Sequence, residues 1–222
     1  MSTLVLLDLD RTAFKTDLHF SDFCSLIAEE FGISADQLKE REHKLTKKPG
    51  PYSPIDDIRY NESINVDSNE VLTVVSKKLQ DKATNYLFDD VLDFFEWSKQ
   101  KGNPIVLITV GTHEYQTHKQ QLIRDLSDLP IIITRDTKAN ELKNRLSFIE
   151  GDGVLLTGDD FSIKADRAML IDDRSGTFAD TDVMPSDKRL ELIRIRRKGV
   201  EYYEDPTPKG IREIEKLTDL IK

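Results

Sequence analysis

Four short runs along the chain are apolar without alternation: "LVLL" ending at Leu7, "PIVLIT" ending at Thr109, "IIIT" ending at Thr134 and "AMLI" ending at Ile171. Runs of this kind predict strands covered on both faces, as in a parallel sheet. A fifth, "LELIRIRR", alternates in part and predicts an edge strand. Between the runs lie helical patterns. "DDVLDFFEWSKQKG" begins with acids, places Val91, Leu92, Phe94 and Phe95 on its inner side, and ends in lysines and Gly102, as caps and the helix dipole prefer. "THEYQTHKQQLIRDL" follows the second run, "TKANELKNRL" the third, and "GIREIEKLTDLI" is a predicted helix that closes the chain. Strand alternating with helix predicts an α/β fold, a Rossmann-like core with a mostly parallel sheet and right-handed crossovers.

One long interval departs from that alternation. About ninety residues separate the first two strands and carry helical patterns that begin near Ser21, Ser34 and Asp67. Ser34 with Gln37, and Asp67 with Glu70, have capping-box spacing. "KKPGPYSP" interrupts these helices with Pro49, Gly50, Pro51 and Pro54 and predicts a loop. The expected organisation is a core made of residues 1–14 and 89–222, with an α-helical insert over residues 15–88. "IEGDGVLLTGDDFSIKAD" predicts a hairpin turning around Gly158.

At 222 residues the chain can bury a proper core. Its formal charge of −9, with a pI near 5.0, argues against general attraction to nucleic acid or anionic membrane, so a small molecule is the expected partner. The single cysteine, Cys24, lies in the apolar stripe of Phe23, Leu26, Ile27 and Phe31 and forms no internal disulfide, which fits a reducing cytoplasm. No targeting segment or membrane span is expected. Oligomeric state is not encoded in any of these patterns.

The strand ends carry the candidate chemistry. In an open α/β sheet, ligands bind beyond the carboxyl ends of the strands. There the first strand delivers Asp8 and Asp10, the second Thr109, Val110 and Gly111, and the fourth Asp172 and Asp173. Four crowded anions persist only beside positive charge. Oxygen ligands without His or Cys favour Mg²⁺, which commonly binds a few carboxylates together with substrate phosphate. Lys138, at the start of the helix after the third strand, is placed to help hold that phosphate.

Asp8-Leu9-Asp10-Arg11-Thr12 after an apolar strand, a strand-ending Thr109, a following lysine and the late pair Asp172-Asp173 together resemble the motifs of the haloacid dehalogenase-like hydrolase superfamily. Lys138 is the best match to the lysine, with Lys143 and Lys164 as rivals. The helical insert after the first motif is like that family's cap domain. The resemblance implies a Mg²⁺-dependent phosphomonoester hydrolase acting on a small phosphorylated metabolite, with Asp8 as nucleophile forming an aspartyl-phosphate and Asp10 as acid and base. It implies Mg²⁺ held by Asp8, the Asp10 carbonyl, Asp173 and Asp172. Thr109, the Val110 and Gly111 backbone and Lys138 would hold the phosphoryl group. A phosphomutase, or a non-catalytic phosphate-binding relative, is the alternative. The sequence departs from the family pattern where Arg11 replaces a common glycine and Val110 a common asparagine.

Other polar residues carry ordinary readings. His113 and His118 are five apart and do not share a helix face, while His19 and His43 are isolated. "RIRRKG" is expected to be a solvated edge, and Trp97 to be core. Tyr52, in the proline-rich loop, is either exposed or reaches over the site.

Overall fold

β1 (Thr3–Leu7) buries all five of its side chains. Successive residues of a strand face opposite sides of the sheet, and here each side meets its own apolar layer. Leu4 and Leu6 pack with Val106, Ile108, Leu170 and Phe178; Val5 and Leu7 pack with Leu107, Ile171, Ile193 and Leu217. That two-sided burial is why the opening run has no alternation.

The structure is a computed structural model and describes all residues except 46–51, 62–63, 65, 152, 180–184 and 222. After β1 come α1 (Thr16–Phe31), α2 (Ala35–Leu45), α3 (Pro54–Tyr60), α4 (Ser68–Leu79) and a 3-10 helix over Gln80–Tyr86. Next are α5 (Val91–Gln100), β2 (Ile105–Val110), α6 (His113–Leu122), α7 (Arg124–Ser127), β3 (Ile131–Thr134) and α8 (Lys138–Arg145). β4 (Leu146–Ile149), β5 (Gly153–Thr157), β6 (Ser162–Ala165), β7 (Arg167–Asp172), α9 (Ser175–Ala179), β8 (Leu190–Ile195), β9 (Arg212–Ile214) and a 3-10 helix over Leu217–Leu220 complete the order. No described helix is long and apolar enough to cross a membrane.

The main sheet has six strands in the order β3-β2-β1-β7-β8-β9, and every pairing in it is parallel. From β1 the chain builds outward through β2 and β3, then returns to the other side of β1 to lay down β7. The carboxyl end of β1 is therefore the point where crossovers diverge. Leu7 pairs with both Leu107 and Ile171, so the residues just beyond it emerge between two neighbours at the same level. A smaller antiparallel sheet, β4-β5-β6, packs with α8 and α9 on the Leu4 face, and its β5–β6 turn is the hairpin expected around Gly158.

Between β1 and β2 the described elements are helices only, as the long interval predicts. Ser34 Oγ accepts from the Gln37 N–H at 3.3 Å, and Asp67 caps α4 by accepting from the Asn69 N–H at 2.8 Å. α1 begins at Thr16 instead of near Ser21, because the Lys15 N–H donates to the Tyr86 carbonyl and fixes the helix entry. In "KKPGPYSP", residues 47–51 lie outside the described residues, and Pro54 opens α3 behind its Ser53 cap.

Three other expectations are corrected. "GIREIEKLTDLI" is not one continuous helix: its three-residue apolar spacing is overridden by the open edge of β8, onto which Arg212–Ile214 adds as β9, and only Leu217–Leu220 is helical, as a 3-10 turn. As a result β8 is interior, and "RIRRKG" is no solvated edge. Arg194 is fully buried and Arg197 nearly so. "THEYQTHKQQLIRDL" is two helices, broken at the buried, extended Ile123.

The helical insert joins the core through a buried polar chain. Ser76 Oγ, on α4, donates to the Leu72 carbonyl and so accepts from His118 Nδ1 at 2.9 Å. His118 Nε2 is then an acceptor for His19 Nε2–H at 3.3 Å, and His19 Nδ1 accepts from Tyr115 Oη at 3.5 Å. Each ring can satisfy this order only as neutral imidazole. Burial, followed by the neighbouring His118 and Lys119, holds His19 well below its usual range. Burial, followed by Lys119, brings His118 down to about 4.

An unfolded histidine protonates near 6.5, whereas His118 in the fold does so near 4. Between those values the unfolded chain binds more protons, so this stabilisation is complete above about pH 6.5 and is lost as pH falls. The full effect is on the order of 3 kcal/mol. His118→Gln is expected to flatten the decline in stability between pH 6.5 and 4, measured by urea denaturation at each pH. Parallel curves for variant and wild type would refute this account.

Candidate active site

Asp8 follows β1 directly, and its N–H still donates to the Ile171 carbonyl of β7 at 2.9 Å, so the sheet ladder sets its position. Asp172 ends β7, and Asp173 follows it. Carboxylate oxygens of Asp8, Asp172 and Asp173 lie within 4.8 Å of one another, and all three residues are buried. Lys138, the first residue of α8, reaches into this group, where its Nζ donates to Asp8 Oδ1 and to Asp172 Oδ2. The cap that aims it is Thr137, whose Oγ1 accepts from the Asn140 N–H at 3.2 Å. The rivals Lys143 and Lys164 are exposed and do not line the cavity.

Asp10 sits in a different hydrogen-bonding environment. Lys119 Nζ donates to its Oδ1, as does Thr16 Oγ1 at 2.6 Å. Gln116 Nε2 donates to its Oδ2 at 2.8 Å, with Thr109 Oγ1 at 3.4 Å. Burial opposes ionisation of Asp10, yet Lys119 and the bonds from Lys119, Thr16 and Gln116 outweigh it and hold the carboxyl well below its usual range. Lys119 is itself buried, which pulls its ammonium down while Asp10 supports it. Two acids separated by one leucine thus receive one buried lysine each.

Neither Lys119 nor Gln116 is singled out by the sequence patterns. A lysine in "THEYQTHKQQL" reads as a solvated helix face. The available signal was their three-residue spacing on the helix after Thr109, which places both side chains on one face. Gly111 is read from sequence as a phosphate donor, but its N–H is committed to the Thr134 carbonyl at 2.9 Å. A Cβ there would come within 2.3 Å of Gln116 Nε2, so the glycine makes room for that side chain. Gln116 Nε2 also donates to the Val110 carbonyl at 3.1 Å.

Arg11 is the sole described non-glycine residue with positive φ, at 60°. The turn requires it: the Arg11 N–H donates to the Phe14 carbonyl while the Ala13 and Phe14 N–H groups donate to Leu9. That left-handed backbone is the physical reason for glycine at this position. Here the guanidinium pairs with Asp17 at 2.7 Å and Glu201 at 3.0 Å and lies over the Tyr202 ring, tying α1 to the segment after β8. Buried arginines brace the same region. Arg197 donates to the Thr12 carbonyl and to Asp90, and Arg194 to the carbonyls of Asp173, Tyr202 and Asp205.

Three of the four carboxylates, Asp8, Asp10 and Asp173, and both lysines open on a cavity of about 450 Å³, with Asp172 fully buried behind them. Thr109 and Val110 line it from the sheet, and Thr16, Asp17, Phe20, Glu42 and Tyr52 from the insert. Four negative charges against two positive leave a deficit that one divalent cation would cancel. The donor set fits such an ion: Asp173 Oδ2 is buried without a hydrogen-bond partner. Burial, then the charges of Asp8 and Asp172, pushes Asp173 up to about 9. Burial, opposed by Lys138 and reinforced by Asp172 and Asp10, brings Asp8 to about 7. Oxygen-only ligands suit Mg²⁺.

No protein-family model matches the chain, and no curated protein matches it. Solved structures do. A protein from Burkholderia xenovorans LB400, assigned as a haloacid dehalogenase-like hydrolase, superposes with a TM-score of 0.69 at 18% identity, over 99% of this chain and 95% of that one. CbbY from Rhodobacter sphaeroides, solved in complex with phosphate, gives 0.55 at 14% identity over 99% and 96%. The HAD-hydrolase YfnB from Bacillus subtilis, bound to magnesium, gives 0.50 at 13% identity over 99% and 96%. The chain has the haloacid dehalogenase-like fold.

Two substitutions test this geometry. Lys119→Met strands the Asp10 carboxylate without its cation and is expected to cost about 3–5 kcal/mol in denaturant melts, part of it recovered by adding Asp10→Asn. An unchanged midpoint for the single variant would show that the ion pair does not matter. At position 11, glycine relieves the left-handed backbone while losing exposed ion pairs worth about 0–1 kcal/mol each. Arg11→Gly should therefore stay within about 1 kcal/mol of wild type, and Arg11→Ala, which keeps the strain, should fall about 1 kcal/mol below it.

Proposed function

We propose that the chain is a Mg²⁺-dependent phosphomonoester hydrolase acting on a small phosphorylated molecule. The observation that carries this reading is the convergence of Asp8, Asp172, Asp173 and Lys138 at the carboxyl end of β1, where Asp8, Asp173 and Lys138 line a cavity sized for a small ligand. The ion would be held by Asp8, the Asp10 carbonyl and the acidic pair Asp172 and Asp173, and when bound it supplies charge neutralisation on the transferring phosphoryl group.

The residues divide the remaining work. Asp8 is the nucleophile: its carboxylate attacks phosphorus, the ester oxygen departs, and an aspartyl-phosphate results. Lys138 screens Asp8 from Asp172 and balances the phosphoryl charge, while Thr109 Oγ1 and the Val110 backbone orient it. Asp10 manages protons. Its four donors keep it a carboxylate, so the proton needed by the departing oxygen resides on Lys119 and passes across their contact. The water that cleaves the aspartyl-phosphate returns a proton to the same pair.

Residues 15–88 act as a cap. Asp17, Phe20, Glu42 and Tyr52 from this insert face the cavity opposite the sheet edge, where they would exclude water and select the substrate. Tyr52 thus reaches over the site.

A colorimetric phosphate-release assay with an aryl phosphate and a set of sugar phosphates and nucleotides tests the reading. Wild type with Mg²⁺ is expected to turn over at least one of them. Asp8→Asn is expected to lower kcat by ~10³-fold or more, and chelation with EDTA to abolish turnover reversibly. Equal activity in the variant would eliminate Asp8 as nucleophile. Conversion of one sugar phosphate to its isomer without phosphate release would identify a mutase instead.

A further inference from the structure

Nearly every arginine of this chain has its guanidinium engaged. Arg11, Arg41, Arg59, Arg145, Arg189, Arg196, Arg197 and Arg212 pair with carboxylates. Arg167 donates to Thr3 Oγ1, and Arg194 to backbone carbonyls. Among the described residues Arg124, Arg135 and Arg174 have neither an ion pair nor a side-chain hydrogen bond, and two of these three, Arg135 and Arg174, line the cavity. In a chain of net charge −9, free guanidinium groups on the mouth of an acidic site are unexpected unless something anionic uses them.

Their placement is specific. Arg135 follows Thr134, the last residue of β3, and Arg174 follows the acidic pair after β7. β3 and β7 flank β2 and β1 in the sheet, so the two arginines approach the cavity from opposite sides of Asp8. Arg174 is oriented by stacking on Tyr202, 5.0 Å from the ring centroid, with Arg11 over the same ring at 5.5 Å. Stacking occupies the face of the guanidinium and leaves its N–H edge free. Asp136, the acid nearest Arg135 in sequence, also lines the cavity, but its carboxylate is engaged elsewhere, accepting from the Thr137 N–H at 2.7 Å and Asn140 Nδ2 at 2.9 Å. The acids of the cavity's outer wall, Asp17 and Glu42, belong to the insert, and Asp17 is already paired with Arg11.

We infer that Arg135 and Arg174 form a subsite for a second anionic group, so that the preferred substrate is a phosphate ester carrying a further carboxylate or phosphate. The transferring phosphoryl group has its own partners in Lys138 and Thr109, which leaves the arginines for another part of the molecule. This inference rests on the phosphate-ester reading of the same site, and its test does not depend on turnover.

Titration calorimetry on the Asp8→Asn variant with Mg²⁺ compares matched ligands: 3-phosphoglycerate against glycerol 3-phosphate for a carboxylate, and fructose 1,6-bisphosphate against fructose 6-phosphate for a phosphate. The doubly anionic member of at least one pair is expected to bind roughly 10- to 100-fold more tightly, the range for charge-assisted hydrogen bonds. Which pair shows the difference identifies the second group. Adding Arg135→Gln and Arg174→Gln should erase the preference, whereas Arg124→Gln should retain it. Both target side chains are exposed, and thermal melts verify that the variants fold. Equal affinities within both pairs, or a preference that survives the double substitution, would overturn the subsite. An absence of phosphatase activity would instead defeat the hydrolase reading and leave this binding contrast to be judged separately.

Discussion

Four carboxylates at the carboxyl edge of one sheet must be neutralised before the chain can fold around them, and that requirement organises the structure. Asp8, Asp172 and Asp173 are buried within reach of a single ion, and Asp10 lies one turn residue beyond Leu9. Desolvating a carboxylate without a partner costs several kcal/mol. The fold meets that cost with two buried lysines from different crossovers, Lys138 from the helix after β3 and Lys119 from the helix after β2. The uncompensated remainder centres on Asp173, whose buried Oδ2 lacks a protein partner. A divalent cation is the simplest completion of that balance.

The division of lysines also divides chemistry. Lys138 is shared between Asp8 and Asp172, so it stabilises charge on both of those carboxylates. Lys119 belongs to Asp10 together with Gln116, Thr16 and Thr109, which saturates that carboxylate with donors. α6 is the element that links this pair to the insert. One of its faces presents Gln116 and Lys119 to Asp10; the other presents Tyr115 and His118 to His19 of α1 and Ser76 of α4. The Asp10–Lys119 pair and the insert are therefore positioned by the same short helix.

Much of the core was legible before any coordinates. Uninterrupted apolar runs identified β1, β2 and β7, because two-sided burial leaves no polar alternation in a strand; β3 was found by the same kind of run, although at the sheet edge its residues alternate between half-buried and buried. The acids and Thr109 were legible as a site because sheet topology delivers strand ends to one edge. What escaped was set by partners distant in sequence. The terminal "GIREIEKLTDLI" has helical spacing, but the free edge of β8 offered backbone hydrogen bonds that a helix could not use. Arg194 and Arg197 read as solvated until β9 enclosed β8, the carbonyls of Asp173, Tyr202 and Asp205 arrived as partners of Arg194, and the Thr12 carbonyl and Asp90 as partners of Arg197. His19, isolated in the sequence, lies against His118 from ninety-nine positions away.

The sequence by itself determined the alternation of strand and helix, the helical interval between the first two strands, and which acids stand at strand ends. These depend on hydrophobic period and local turn chemistry, which are properties of neighbouring residues. Only the tertiary structure decided which lysine serves which acid, why Arg11 occupies a left-handed turn and still finds two carboxylates, and which arginines remain free at the cavity. Those outcomes depend on the desolvation of charges brought together from remote segments, and no local pattern carries that information.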